Sequence, residues 1–224
     1  MSPEQQRIIE QGEWFKNRSP YLKSFLLTQG KTLSLNAQQS LFLRGDQHDG
    51  LYAVLSGVVR VSGVSSEGKE AVLSFIDSSL WFGELTLFDG GLRTHDVHAQ
   101  TNVTLFFVPQ RCLGQLLNEQ PKYWQDFGLL LAQKLRVMFS SMEDQALLTA
   151  EQKVCKRLLM LSEHSDVNKA LVLSQQQLAD MSYLTRQTIN QILQHLVSLK
   201  AISLGYQRIT ILDKQKLKVL ATQT

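Results

Sequence analysis

The spacing of apolar residues changes along the chain, and the first pattern predicts strands. Between Gly45 and Gly91, short apolar runs such as LYAVLSGVVRVSGV and EAVLSFI are separated by glycines, and eight of the thirteen glycines fall in this interval. A further run, VTLFFVP, ends at Pro109. Short runs of β-branched and aromatic residues between glycine turns are typical of an antiparallel sandwich or small barrel. Upstream, residues 4–16 and 19–29 are interpreted as short helices or irregular packing.

From Pro121 onwards the pattern becomes helical, because glycines are rare and one apolar stripe follows heptad a and d positions. The members of this stripe are Trp124, Leu131, Leu135, Met138 and Met142. A second apolar face, which we expect to pack against the sheet domain, consists of Phe127, Leu130, Val137 and Phe139. One face for its own domain and one for a partner predict a dimer helix. A helix buried within a single chain is the alternative.

The last third of the chain shows two short helices separated by a tight turn. Ser174 is a good N-cap for QQQLADM, and Thr185 is one for RQTINQILQHLVSLK. Helices joined by so short a turn cross steeply, so their apolar positions face one another: Leu178, Ala179, Ile189, Leu193 and Leu196. The hydrogen-bonding side chains that begin the second helix stay outside: Arg186, Gln187, Thr188, Asn190 and Gln191.

These features predict a helix-turn-helix, because the first turns of the second helix can enter the major groove, where base edges display donors and acceptors. The following AISLGYQRITIL is interpreted as two strands of a wing, whose Tyr206 and Arg208 could touch the DNA backbone. Ser174, Lys200 and Lys153 are further candidates for phosphate contacts, which position a protein without reading sequence. A small helical packing domain with a polar surface is the alternative.

The charge distribution supports a nucleic-acid partner for this part of the chain. Residues 146–224 carry ten Lys and Arg against five Asp and Glu, whereas residues 1–145 carry thirteen against fifteen. The formal net charge of +3 therefore hides a basic C-terminal third, which favours contact with a polyanion.

Composition excludes several other classes of protein. No apolar run approaches the roughly 18–20 residues of a membrane span, and the N-terminus is polar, so we expect a cytoplasmic protein without a membrane partner. Cys112 and Cys155 are far apart and lack the close spacing of metal or redox sites, so we expect them to serve in packing. No nucleophile elbow or metal-ligand spacing occurs, so neither an enzyme nor a metal site is expected.

The order of glycine-rich sheet, long helix, helix-turn-helix and wing resembles the cyclic-AMP receptor protein/FNR (Crp/Fnr) family of bacterial transcription regulators over nearly the whole chain. The stretch WFGELTLFDGGLRT, residues 81–94, is similar to the family's phosphate-binding cassette, and LSQQQLADM with TRQTINQIL is similar to its DNA-binding helices. The resemblance implies an α+β fold in three parts. These are a cyclic-nucleotide-binding-like β jelly-roll, or double-stranded β-helix, over 1–120, a long dimerisation helix over 121–146, and a winged helix-turn-helix over 147–224.

The resemblance also implies roles for the cassette. In relatives that bind a cyclic nucleotide, the glutamate accepts from the ribose 2′-hydroxyl, the arginine pairs with the phosphate, and backbone N–H groups complete the cradle. The matching positions are Gly83, Glu84, the N–H of Leu85, Arg93 and Thr94. Cyclic AMP or another cyclic nucleotide is the implied effector, and a guanidinium suits its phosphate. The alternative is a scaffold in which Glu84 and Arg93 bridge each other and the ligand is lost or changed.

The sequence departs from the family pattern at the base-recognition position. Met138 and Phe139 align with the Thr-Ser pair that relatives present to adenine, and neither can make those hydrogen bonds. Ser140 and Ser141 follow, but a shift of two residues rotates a side chain by about 200° around the helix. We therefore expect base recognition to differ from that of the cyclic-AMP proteins, even with an intact phosphate site.

The DNA-binding helices depart from the pattern as well. Arg186 matches the family's arginine, but Gln187 stands in place of a glutamate and Gln191 in place of an arginine. We therefore expect the operator to differ from that of the cyclic-AMP receptor protein. The turn glycine is also missing, with Tyr183 near its place, so the turn geometry is expected to be adjusted.

Two sensory branches of the family need particular metal-binding residues, cysteines in one case and histidines in the other. The oxygen-sensing branch carries an N-terminal cluster of cysteines for iron–sulfur binding, and the first cysteine here is Cys112, so we exclude that branch. Haem-dependent members remain an alternative, because His48, His95 and His98 lie in the sensor half. His95 and His98 would point to opposite faces of a strand, which disfavours a shared haem.

The resemblance implies a homodimer in which an effector shifts the long helices and reorients two recognition helices toward a palindromic operator. Its half-sites should lie about one DNA turn, roughly 34 Å, apart. RNA polymerase is a further implied partner. The alternative is an effector-independent or haem-dependent regulator of the same family with a vestigial nucleotide pocket.

Overall fold

The computed structural model describes residues 2–47, 49–68, 70–163 and 170–222. The chain divides into two compact units, one ending at Val137 and the other beginning at Met138, and this boundary lies within one long helix. The predicted α+β fold is confirmed, with a β-sheet domain in the first unit and a helix-turn-helix in the second. Within the described part of the chain, no helix is both long and apolar enough to cross a membrane.

The first unit contains a helical start, a strand-rich middle and further helices. The predicted helices at its start are confirmed: Ser2 forms a capping box with Gln5, and Ser19 caps a helix that begins with Pro20. Its helices are α1 Pro3–Gln11, α2 Glu13–Lys16, α3 Pro20–Gln29, α4 Leu85–Asp89, α5 Gln110–Glu119 and the first part of α6 Trp124–Leu147. Its strands are β1 Lys31–Leu35, β2 Ser40–Phe42, β3 Gly50–Ser56, β4 Val59–Val64, β5 Glu70–Ile76, β6 Trp81–Phe82, β7 Asp96–Ala99 and β8 Val103–Pro109.

The strands form two antiparallel sheets, with strand orders β1-β8-β3-β6 and β2-β7-β4-β5. Side chains from both sheets share one core, as Tyr52 and Leu105 of the first sheet cluster with Val59 and Val97 of the second. The predicted antiparallel sandwich is therefore confirmed.

The other face of the first sheet is covered by helices. Successive side chains of β3 alternate, so Leu51 and Ala53 belong to a second core that also holds Trp14, Phe127 and Leu130. Both faces of β3 are buried, which explains why LYAVL reads as a continuous apolar run. The prediction that Phe127 and Leu130 of α6 pack against the sheet domain is confirmed.

The same prediction is wrong for Val137 and Phe139, which are 58% and 60% exposed. Val137 lies on the face of Leu130 but about 10 Å further along the axis, because each helical residue adds about 1.5 Å. The buried residues of α6 end at Leu130. The sequence periodicity therefore gave the right face for Val137 but could not show where the covering layer ends. Phe139 is nine residues after Leu130, about 180° away around the helix, so it lies on the opposite face.

The second unit is small and predominantly helical. After the end of α6, its elements are α7 Ala150–Glu163, β9 Leu171–Val172, α8 Gln175–Ser182, α9 Arg186–Ser198, β10 Ile202–Gly205, β11 Arg208–Ile211 and α10 Lys214–Thr222. The strands form an antiparallel sheet of order β10-β11-β9. The two predicted helices and the predicted wing strands are thus confirmed, with β10 and β11 as the wing.

Candidate functional site

The cassette places Arg93 inside the first unit, against a glycine that the geometry requires. Gly83 has a φ of +96°, a left-handed conformation that favours glycine. A Cβ at this position would lie 3.0 Å from Nη1 of Arg93 and 3.1 Å from the carbonyl oxygen of Gly50. Gly83 therefore lets the backbone approach the guanidinium of Arg93.

The guanidinium of Arg93 is surrounded by protein groups, and the side chain is 3% exposed. Nη1 donates to the carbonyl oxygen of Gly83 at 3.2 Å, and Nη2 donates to that of Gly50 at 2.9 Å. Nη2 also forms an ion pair with Oδ1 of Asp49. The guanidinium lies over the ring of Phe42, with Cζ of Arg93 4.1 Å from the ring centroid. Arg93 is thus neutralised and shielded from water within its own domain.

Asp49 is the acid that neutralises Arg93, and it has a second donor. The hydroxyl of Tyr52 donates to Oδ2 of Asp49, while Oδ1 accepts from Arg93. Burial, together with the neighbouring Asp49 carboxylate, raises the pKa of Tyr52 well above its ordinary value. The phenol therefore stays protonated and acts as a neutral donor.

Glu84 has its own cation, Lys134 on α6. Nζ of Lys134 donates to Oε2 of Glu84 at 2.5 Å, and the glutamate side chain is 5% exposed. Burial lowers the pKa of Lys134, and the Glu84 carboxylate opposes that shift. The sequence alternative in which Glu84 and Arg93 bridge each other is wrong: each pairs with a different partner.

The remaining cassette positions lie nearer to solvent. Leu85 begins α4 and is 42% exposed, and Thr94 is exposed with its Oγ1 3.0 Å from Nδ1 of His95. Met138 and Phe139, the positions aligned with the base-recognising pair, are each 60% exposed.

The histidines considered for haem are only partly described. Burial and the nearby Arg44 lower the pKa of His95, and Asp96 opposes this shift. His98 lies on β7, whereas His48 falls outside the described residues. A haem-dependent function stays untested.

The helix-turn-helix is built around a left-handed residue. Tyr183 has φ +53° and ψ +40° at the end of α8, and its turn continues as the N–H of Leu184 donates to the carbonyl oxygen of Ala179 at 3.0 Å. Arg157 of α7 stabilises the turn, because its Nη2 donates to the carbonyl oxygen of Met181 at 2.9 Å. Tyr183 therefore takes the place of the missing glycine and adopts the left-handed backbone conformation that usually favours glycine.

The first turns of α9 present polar side chains to solvent. Arg186, Gln187, Asn190 and Gln191 are exposed and Thr188 is half-buried, while the apolar positions of the helix face inward. Ile189, Leu193 and Leu196 are completely buried, as are Leu178 and Ala179 of α8. The inside and outside positions predicted from the sequence are confirmed, except that Thr188 is half-buried.

The two candidate cap residues are committed to the ends of their helices. Ser174 forms a capping box with Gln177, and Thr185 accepts from the N–H of Thr188 at 3.1 Å. The side-chain amide of Gln175 donates to Oδ1 of Asn190 at 3.3 Å, which links the start of α8 to the recognition helix.

The wing and the candidate lysines have different environments. Tyr206 is 90% exposed and Arg208 is exposed at the start of β11. The left-handed residue of the wing turn is Gln207, with φ +50°. Nζ of Lys153 donates to the carbonyl oxygen of Gln145 at 2.9 Å, so this amine already hydrogen-bonds the last turn of α6.

The sequence interpretation missed Asp49, Tyr52 and Lys134. Asp49 precedes a strand by one residue and looked like an ordinary loop acid, and Tyr52 looked like a core residue. Lys134 offered a weak signal, since it interrupts the apolar stretch LLLAQKLRV. The pairings depend on long-range contacts, with sequence separations of 44 between Asp49 and Arg93 and 50 between Glu84 and Lys134.

Comparisons with known proteins match both parts of the chain. A family model described as "Cyclic nucleotide-binding domain" matches residues 32–120, and one described as "Crp-like helix-turn-helix domain" matches residues 152–220. The chain is 24% identical over 216 residues to the CRP-like cAMP-activated global transcriptional regulator of Mycobacterium tuberculosis, covering 94% of this chain and 96% of that protein. It is 29% identical over 198 residues to the transcriptional regulator SdrP of Thermus thermophilus, covering 85% and 94%.

A solved structure supports the fold independently. FixK2 from Bradyrhizobium japonicum is similar with a TM-score of 0.78 at 20% identity, over 87% of this chain and 98% of that one. A cyclic-nucleotide-binding domain followed by a Crp-like helix-turn-helix defines a DNA-binding transcription regulator. The chain belongs to the Crp/Fnr family, as its cassette and DNA-binding helices had suggested.

Proposed function

We propose that this regulator acts as a homodimer that reads a palindromic operator under the control of a small effector bound in its first unit. The observation that carries the proposal is the polar row Arg186, Gln187, Asn190 and Gln191, held outside a buried apolar face at the start of α9. Arg can bind guanine O6 and N7 together, and Asn or Gln can bind adenine, so this row suits base edges.

The phosphate contacts proposed beside this row are Ser174, Thr185, Thr188 and Arg208, with Tyr206 on the wing. Ser174 and Thr185 begin their helices, where backbone N–H groups favour a phosphate. Arg208 and Tyr206 are exposed around the wing turn. RNA polymerase contact stays a prediction.

The dimer part of the proposal is supported by the exposed apolar stripe of α6. Leu131 is half-buried, but Trp124, Leu135, Met138 and Met142 are 38%, 46%, 60% and 65% exposed. A stripe of this size on a single chain favours an interface. We propose the functional parts as residues 1–120, 121–146 and 147–224.

Light scattering tests the dimer directly. Leu135→Glu or Met142→Glu should yield monomers, because a carboxylate would have to be buried in the seam. Arg136→Glu, on an exposed neighbouring position of α6, is the control and should remain dimeric. A monomeric wild-type protein at micromolar concentration would contradict the proposal.

We propose a cyclic nucleotide as the effector, held through Gly83, Glu84, the N–H of Leu85, Arg93 and Thr94. The buried guanidinium and carboxylate of the cassette, 3% and 5% exposed, support this assignment because a phosphodiester and a ribose need complementary charge and acceptors. Met138 and Phe139 offer no hydroxyl to a base, which favours a base preference unlike that of the cyclic-AMP proteins.

A thermal-shift titration with cyclic AMP and cyclic GMP tests the effector. A ligand at a hundred times its dissociation constant should add about 2.7 kcal/mol of stability. The shift should vanish in Arg93→Ala and persist in Arg111→Ala, which removes an exposed arginine of α5. No shift with either nucleotide would leave the DNA-binding assignment standing and remove the cyclic-nucleotide effector.

An effector-independent regulator is the second candidate, favoured by one specific observation. Both charged cassette residues are already neutralised from within, Arg93 by Asp49 and Glu84 by Lys134. In that case operator affinity in a gel-shift assay should be the same for the wild type and Arg93→Ala, with and without nucleotide. A nucleotide-dependent change in affinity that Arg93→Ala abolishes would contradict this candidate.

A further inference from the structure

The N–H groups of the Arg93 guanidinium are either paired within the protein or buried. Nη1 donates to the carbonyl oxygen of Gly83 and to Oγ1 of Thr86, and Nη2 donates to the carbonyl oxygen of Gly50 and to Asp49. Nε is buried without a hydrogen-bond partner among the described residues. The side chain is 3% exposed. An anionic ligand can reach this cation only if one of the present partners moves.

Asp49 is the partner that can move. The carbonyl oxygens of Gly83 and Gly50 belong to the backbone, and Gly50 begins β3, where it pairs with Pro109 of β8. The side chain of Asp49, by contrast, is 48% exposed and precedes the strand. A rotation of this side chain would uncover Arg93 without breaking the sheet.

Asp49 also resembles a ligand in its chemistry. One of its oxygens accepts from Nη2 of Arg93 and the other from the Tyr52 hydroxyl. Two oxygens on one centre that share a negative charge are also what a phosphodiester or a carboxylate presents, and both bind guanidinium through charge-assisted hydrogen bonds. Arg93 and Tyr52 together therefore form a two-donor anion receptor, defined by these residues, with the ring of Phe42 against the guanidinium.

We propose that Asp49 is the resident anion of this receptor and that an anionic effector must displace it to bind. The inference rests on the proposed effector site and adds two residues to it, Tyr52 as a second donor and Asp49 as a competitor. The competitor reduces the fraction of chains that are ready to bind, and the apparent dissociation constant rises in inverse proportion to that fraction. Neutral ligands cannot replace the lost charge, so the device selects for anions.

Isothermal titration of the full-length protein tests the competition. The probes are cyclic AMP, cyclic GMP and inorganic phosphate. Asp49→Asn removes the charge but keeps the shape, and it should bind at least one probe about tenfold more tightly than the wild type, as expected if one chain in ten is open. The gain should disappear in Asp49→Asn combined with Arg93→Gln. Glu67→Gln, which removes an exposed charge from the turn between β4 and β5, is the matched control and should leave affinity unchanged.

Each pattern of results decides the question. Binding by Asp49→Asn that is equal to or weaker than wild-type binding would overturn the inference, while Arg93-dependent binding by the wild type would leave the proposed effector site intact. An equal gain in Glu67→Gln would also overturn it, because general electrostatics would explain the effect. No binding of any probe to any variant would overturn both the inference and the nucleotide effector.

A second measurement uses only the wild-type protein and therefore tests the proposal even if Asp49→Asn does not fold. Carbon-13 NMR of the aspartate carboxylates can follow Asp49 in the wild type during titration with cyclic AMP at millimolar concentration. Displacement predicts that the Asp49 signal moves in step with saturation. A stationary signal during saturable binding that depends on Arg93 would overturn the proposal.

Discussion

The two units of the chain place the polar groups of their candidate sites in opposite environments. In the first unit, Arg93 and Glu84 are buried and each has a charged partner from its own domain. In the second unit, Arg186, Gln187 and Gln191 project from the first turns of α9 into solvent. A site for a small ligand must carry its charges inside, where water no longer weakens them. A site for DNA can leave its charges outside, because the phosphates and base edges supply the partners on binding.

Because of this difference, substitutions in the two candidate sites should affect different properties, folding in the first unit and DNA binding in the second. A buried charge must be paired at all times, so removing it affects folding. An exposed charge costs the fold little, so removing it affects only binding. The two arginines of the proposed sites therefore serve as reciprocal probes of the two units.

The largest effect is expected for Arg93→Ala, which should lower the free energy of unfolding of the first unit by about 2–3 kcal/mol. The substitution leaves Asp49 without its cation and the carbonyl oxygens of Gly83 and Gly50 without a donor. Urea unfolding followed by tryptophan fluorescence measures it, because Trp14, Trp81 and Trp124 all precede Val137.

Arg111→Ala is the control for this measurement and should change stability by less than about 0.5 kcal/mol, since Arg111 is exposed on α5. A loss below about 0.5 kcal/mol in Arg93→Ala would break the comparison, because Arg93 would then behave as a surface residue.

The reciprocal substitution is Arg186→Ala, which should weaken operator binding by about 1–3 kcal/mol and relax the preference at one base pair. Its unfolding should change by less than about 0.5 kcal/mol, because the side chain is exposed. Binding titrations against selected and random duplexes at several salt concentrations measure the operator affinity and the base preference. An unchanged base preference in Arg186→Ala would contradict its role.

Lys200→Ala is the control for base reading. It should weaken binding to all sequences alike, as loss of a phosphate contact does.

Tyr183→Gly sharpens the comparison by removing backbone strain near the DNA-binding surface. Tyr183 has φ +53° and is 54% exposed, so glycine should stabilise the α8–α9 turn by about 0.5–1 kcal/mol. Amide hydrogen exchange of α8 measures the local gain. Tyr206→Gly, at an exposed position of the wing without a left-handed φ, should give no gain. Faster exchange in Tyr183→Gly would mean that packing of the ring outweighs the strain.

The smallest effect concerns pH and His95. Burial and Arg44 hold its pKa below the ordinary value of 6.5 in the folded protein. Between those two values the unfolded chain binds a proton that the folded chain does not, so stability falls as the pH falls through this window. His95→Gln should reduce the loss in urea midpoint between about pH 7.5 and about pH 5.5. His195→Gln, in the second unit, should leave the tryptophan-reported transition unchanged. A pH dependence identical in wild type and His95→Gln would contradict the assignment.

The second unit could be predicted from its sequence to a large extent. Its signals are local: Ser174 and Thr185 cap helices within three residues, and the apolar positions of α8 and α9 repeat at helical spacing. The outward row Arg186, Gln187, Asn190 and Gln191 follows from the same periodicity, because these positions lie away from the apolar face of the helix. The sequence did not reveal β9, α10 or the left-handed conformation of Tyr183, whose φ depends on the turn that the packed helices impose.

The sequence by itself predicted the sandwich of strands and the two helices of the helix-turn-helix, because these depend on residue types at short, regular spacing, and its motifs resembled those of the Crp/Fnr family. Only the tertiary structure decided that Arg93 pairs with Asp49 and Tyr52 hydrogen-bonds the same acid, that Glu84 pairs with Lys134, and that the buried residues of α6 end at Leu130. These contacts join residues far apart in the chain, and the identity of an acid or a lysine does not reveal its partner. The state of the candidate effector site therefore depends on how strands and helix are brought together.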